Sequence, residues 1–377
     1  MRGTRPRVLV ASREGLAVTQ NKRQALLPRR QPSPPNPMDG AAEYAHTCSS
    51  STWRLDAPSL SALRAAANAA GRLRVGGDGS VAAPPRCLVG EAVPEALRRG
   101  APVESGVSAG DEALFTGWFE KQIQLLCGRG ADRAGRLRRS DKVSATAVVL
   151  FKRFFLSHSV LELDPMTLAL CAIFVAGKLE DEFVAAADLA AAVSPDDAAA
   201  TALAAAVAAA EPAFLAGVRF DLRVAHPHRP LKSLFDACAG AKDPAPDAGA
   251  LDAMRQRALA NCDALLATDA PLLHAPSVLA VAALCRAASA SAPLSAADLD
   301  GSLRDLFDDA LLNDAYALAA TLPDPDAAPA EDDTAELKKV RKRVKKFALW
   351  RDADKKPKRP RDDSSSGAAP PAKKVKA

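Results

Sequence analysis

The chain has 377 residues, 48% of them hydrophobic, enough to bury a sizeable core in about two domains with tails. Only 5% are aromatic while alanine recurs in long runs, a composition that favours closely packed helices over sheets and predicts an all-α fold. The net charge of +5 is segregated: residues 1–38 hold eight Lys/Arg and one Glu, residues 338–377 hold sixteen Lys/Arg and four Asp, and the body between them carries about −14. An acidic body excludes a folded phosphate-binding face, so no direct sequence-specific nucleic-acid binding is expected.

No run reaches 18 apolar residues, since the Ala-rich stretch from Phe183 to Ala210 is broken by Asp188, Ser194, Pro195, Asp196 and Asp197; no membrane span or membrane partner is expected. Seven cysteines, at 48, 87, 127, 171, 238, 262 and 285, form no CxxC pair, which argues against a zinc site or a disulfide framework. Cys127, Cys171 and Cys285 fall in apolar helical patterns and read as small buried residues.

In chain order, residues 1–50 are arginine-rich, without helical period, and are expected to be a disordered basic segment. Residues 51–70 predict a short helix with Asp56 or Ser59 as its cap, led by the aromatic anchor Trp53 and packing through Leu60 and Leu63. Residues 71–108, rich in Gly and Pro, read as a linker. Helical text resumes near Asp111, where Leu114, Phe115, Trp118, Phe119, Gln122, Leu125 and Leu126 keep a three-four spacing. In the next helix Val143, Ala147, Leu150, Phe151, Phe154 and Phe155 form the buried stripe, leaving Lys152 and Arg153 on the wetter side. Asp164 and Pro165 mark a helix start, and MTLALCAIFVAGK, apolar nearly all round, must lie at the centre of a bundle.

The same design returns downstream. Pro165, Leu168, Ala169, Ala172 and Ile173 match Pro276, Leu279, Ala280, Ala283 and Leu284 at one constant offset, which implies two helical domains of similar plan. Each central helix follows an amphipathic one, the second carrying Leu259, Cys262, Leu265 and Leu266. A basic helix over 331–350 is threaded by Leu337, Val340, Val344, Phe347 and Leu349, and residues 351–377 are expected to be a disordered basic tail.

FKRFFLSHSVLELDP, then FVAGKLEDEFV, then FDLRVAHPHRPLKSLFD resemble, in that order and spacing, the cyclin box of transcription-type cyclins. The TWRLDAPSLSALRAAANAA segment and the basic helix after the second box direct the resemblance to the cyclin H subgroup, over about residues 50–350. Cyclin C, and a transcription factor IIB-like tandem cyclin-fold DNA-binding factor, are the alternatives; the latter would need a zinc ribbon that the cysteine spacing does not supply. The resemblance implies tandem five-helix cyclin-box domains over 109–224 and 225–323, flanked by N- and C-terminal helices. It implies a non-catalytic regulatory subunit without cofactor or metal. The implied partners are a cyclin-dependent kinase catalytic subunit, a RING-type assembly factor and transcription factor IIH. By the same resemblance, Lys178 at the end of the third box helix and Glu211 on the fifth face the kinase, with Lys152 and Arg153 completing the candidate interface. Pro212, directly after Glu211, departs from the family pattern and predicts either a kink or a helix start.

His226 and His228 stand two apart with no third ligand nearby in sequence; the stretch reads as the link between boxes, its turn fixed by Pro227 and Pro230 and anchored by Arg229. Glu180, Asp181 and Glu182 project in different directions from a helix end, unsuited to paired acid–base work. Basic clusters at Lys355, Lys356, Lys358, Arg359 and Arg361, and at Lys373, Lys374 and Lys376, predict nuclear import and a nuclear location.

Overall fold

The computed structural model describes residues 52–75, 107–128, 137–162, 164–242, 246–288, 293–322 and 335–354, with side chains through 72 in the first of these stretches and through 344 in the last. All regular structure among the described residues is helical. Helix α1 (Ala57–Val75) precedes a first unit of α2 (Ala109–Leu126), α3 (Asp141–Phe155), α4 (Pro165–Leu179), α5 (Ala186–Val193) and α6 (Asp197–Gly217). A second unit contains α7 (His228–Gly240), α8 (Ala248–Leu266), the single turn α9 (Ala270–Leu273), α10 (Pro276–Ala287), α11 (Ala296–Arg304) and α12 (Asp309–Thr321), and α13 (Ala335–Asp354) follows.

Helix starts are written locally. Ser108 and Ser295 form capping boxes with Asp111 and Asp298, and Ser140, Asp164, Asp196, Asp247 and Asp308 each accept a hydrogen bond from a backbone N–H of the first turn they precede. Asp56 caps α1 by accepting from the Ser59 N–H at 2.7 Å.

Two large hydrophobic clusters form, one around α4 and one around α10, and the matched residues of the repeat are buried in both helices. In the first cluster the rings of Phe154 and Phe214 stack at 5.3 Å, which ties α3 to α6. Leu337, Val340 and Val344 of α13 are buried in that same cluster, while Lys338, Lys339, Arg341, Lys342 and Arg343 stay exposed. The remaining residues of the basic tail and the N-terminal segment, including every nuclear-import residue named above, lie outside the described residues.

Several expectations are corrected. Helix α1 continues through Gly71 to Val75, so the linker is shorter than 71–108. Gly71 punctuates nothing; a Cβ there would meet the Ser159 Cβ at 2.3 Å, and its absence lets α1 lie directly on the loop after α3. Pro212 sits inside one uninterrupted α6 and starts no helix. Both Pro212 and Ala208, whose carbonyl loses its partner, are exposed, so water can replace the missing bond. Pro230 lies in the first turn of α7 rather than in a connecting turn, and Arg229 is exposed. Helix α6 begins at Asp197, the last of the acids that interrupt the Ala-rich stretch, and is long and apolar enough, by composition alone, to cross a membrane; its Val207, Ala210, Ala213 and Phe214 fill the first core.

Candidate docking site on the first unit

The site is built at the end of α4. A Cβ on Gly177 would lie 2.8 Å from the Glu182 carbonyl oxygen, so glycine permits the chain to fold back tightly: the Glu182 N–H donates to the Gly177 carbonyl at 2.9 Å, with Asp181 left-handed at φ 58°. Side chains pin this reversal to α3. The Thr146 hydroxyl donates to Glu180 at 2.7 Å, and the Ser140 N–H donates to Glu182 at 3.1 Å. Burial would raise the Glu182 carboxyl, but the Ser140 hydrogen bonds and the charges of Arg139 and Lys142 outweigh it and leave the group below its ordinary value. Glu180 and Glu182 thus serve separate structural ends.

Lys178 occupies the last turn of α4, where the helix dipole favours a cation. Its Nζ lies 2.7 and 2.9 Å from the two Glu211 carboxylate oxygens and 4.1 Å from the Phe174 ring centroid. The structure therefore joins the two residues that sequence reading held 33 positions apart. Their side chains are 40% and 24% exposed. Leu179 and Phe183 stand open to solvent beside them, and the Phe183 ring is 6.3 Å from that of Phe174. One ammonium proton is left over, and the carboxylate keeps unused lone pairs; together they can bond backbone C=O and N–H groups of a partner segment that covers the apolar pair.

Lys152 and Arg153 are not on this surface. Both are buried, at 4% and 2% exposure, because α3 is enclosed on every side. Lys152 forms an internal ion pair with Glu120 of α2. The Arg153 guanidinium donates to the Asp221 and Arg223 carbonyls at 3.0 and 3.1 Å and lies 5.1 Å from the Trp53 ring. Arg153 thereby holds the link between units. Trp53 and Leu60 are buried in a small cluster with Leu156 and Leu272, whereas Leu63 is half-buried. The Trp53 indole N–H donates to Asp221 at 2.7 Å, and the Leu55 N–H donates to the Leu272 carbonyl at 2.7 Å, so the N-terminal segment straps both units.

Sequence reading missed the exposed aromatics. Phe220 is 68% exposed, and both it and Arg219 are left-handed at φ 54° and 62°. Such non-glycine residues each cost on the order of 1 kcal/mol. The cap is held by the Phe220 N–H donating to the Leu215 carbonyl at 2.8 Å.

No protein-family model matches the chain. Among curated proteins, Cyclin-H1-1 of Arabidopsis thaliana is 29% identical over 181 residues, covering 47% of this chain and 49% of that protein. Cyclin CCL1 of Saccharomyces cerevisiae is 27% identical over 175 residues (46% and 41%), and Cyclin-H of Xenopus laevis is 27% identical over 180 (48% and 53%). The matched region spans about half the length of these relatives. Among solved structures, a chain of the CAK complex from Chaetomium thermophilum bound to ATP-gamma-S matches with a TM-score of 0.59 at 22% identity, over 87% of this chain and 98% of that one. A chain of the yeast TFIIK complex of Kin28, Ccl1 and Tfb3 matches at 0.52 and 20% identity, over 74% and 99%.

The solved structures share the fold, and the curated relatives make the chain similar to the cyclin family. Within it, the similarity is to the cyclin H type, shared by the plant, yeast and frog proteins.

Proposed function

We propose that the chain is a regulatory subunit that docks on a cyclin-dependent kinase through the end of α4 and the facing part of α6, and contributes no chemistry of its own. The observation that carries this reading is the Lys178–Glu211 pair, presented with unused hydrogen-bonding capacity beside exposed Leu179 and Phe183. A partner helix covered by this surface is held inward. In a kinase that position lets the mobile helix's Glu reach the ATP-binding Lys, so the subunit acts by shifting a conformational equilibrium.

The similarity to cyclin H and CCL1, and the fold shared with chains of the CAK and TFIIK complexes, support a kinase of the CDK-activating, transcription factor IIH-associated type. The reading extends to a RING-type assembly factor as third subunit, and to nuclear import through the basic clusters at 355–361 and 373–376. Affinity capture of the tagged full chain from its native cells tests the partner: recovery of a different cyclin-dependent kinase would reject the CDK-activating assignment. The interface is tested by Lys178→Ala, expected to lower kinase activation at least tenfold. Unchanged activation and affinity would reject it.

A further inference from the structure

Helix α1 is fastened to the first unit around one buried carboxyl. Glu112 of α2 is 8% exposed and accepts from the Asn68 side-chain amide of α1 at 2.8 Å, from the Ser159 hydroxyl, and from the Val160 N–H. Asn68 is itself 5% exposed, and Gly71 brings the α1 backbone against Ser159 directly above it. On its other side α1 reaches the second unit, where Arg64 donates to both Asp269 carboxylate oxygens at 2.5 and 2.7 Å. Thus α1 bridges two units, and Glu112 sits under the bridge.

The charged groups nearby do not neutralise Glu112. Arg64 is engaged with Asp269, Lys152 with Glu120, Arg343 of α13 with Asp111, and Arg72 donates to the Val107 carbonyl at 2.6 Å. Glu162, on the loop after α3, repels a second negative charge.

We propose that α1 is a proton-linked clamp between the two units, seated while the Glu112 carboxyl carries a proton and loosened when that proton leaves to solvent. Burial is the main influence on the group and outweighs its three donors, raising it to about 7. Undocking α1 returns the carboxyl to water and to its ordinary range. The sign follows: the raised group favours the docked form fully below about pH 4.5, and this contribution is lost as pH rises through about 7. Across pH 6 to 8 the docked-to-open ratio then falls by about tenfold.

Hydrogen–deuterium exchange on the full chain between pH 6 and 8, with rates referred to unstructured peptides at each pH, reads this directly. Protection of α1 is expected to fall about tenfold while that of α10 holds, and Glu112→Gln should flatten the α1 response. A pH-independent α1, an equal fall in α10, or an unaltered response in Glu112→Gln would each overturn the clamp. Should the Gln variant not fold, the comparison of α1 with α10 in the unmodified chain still decides.

Discussion

Lys152 and Glu120 face each other inside the first unit with side chains 2% and 5% exposed, an ion pair closed off from solvent. Burial drives the Glu120 carboxyl upward and the Lys152 ammonium opposes it. Removing one partner leaves the other charge buried alone. Lys152→Ala is therefore expected to destabilise the chain by about 3–5 kcal/mol, while Lys152→Met with Glu120→Leu costs far less, as urea titrations of both would show.

The Lys178–Glu211 pair belongs to the opposite regime. It is partly exposed, so its contribution to stability is expected to be under about 1 kcal/mol in a double-mutant cycle. A destabilisation comparable to that of Lys152→Ala would mean that the pair serves the fold and not a partner.

Trp53 combines a buried ring with a directed N–H. Trp53→Ala is expected to cost about 3 kcal/mol, and Trp53→Phe, which keeps an aromatic ring over Arg153 but loses the bond to Asp221, about 1 kcal/mol. Thermal unfolding of the two variants beside the parent protein measures the difference.

His226 contributes to the acid limb of stability. Burial lowers it to about 4, with His228 and Lys142 adding to the effect. A depressed histidine favours the folded state above about pH 6.5, and that contribution is lost as pH falls through about 4. Because Glu112 slopes the other way over part of this window, the test is a difference: the denaturant midpoint of His226→Gln should fall less between pH 6.5 and 4 than that of the parent.

The sequence carried the helices and their pairing because periodicity and the Pro-led repeat are local signals, and a helix apolar all round can only be central. Resemblance to known proteins, rather than spacing, singled out Lys178 and Glu211, and only the structure shows that they pair. Lys152 and Arg153 were misplaced for a physical reason: a long cation is assigned to water by default, and only the third dimension supplies the Glu120 carboxylate and the Asp221 and Arg223 carbonyls that permit burial. Phe183 and Phe220 were passed over. An exposed aromatic just beyond a helix end has the same pattern as a core residue. Gly71 was read as a break because close approach to Ser159 leaves no mark on local text.

The strap at Trp53 and Leu55 also sets an order of events during synthesis. These residues leave the ribosome well before their partners Asp221 and Leu272, which follow 168 positions on in the case of Asp221. The two bundles, each with its own core, can collapse as they emerge, leaving the earlier segment to be seated last. Until then the nascent polypeptide displays the Trp53 ring and the bare groove it will fill, a surface suited to chaperone capture.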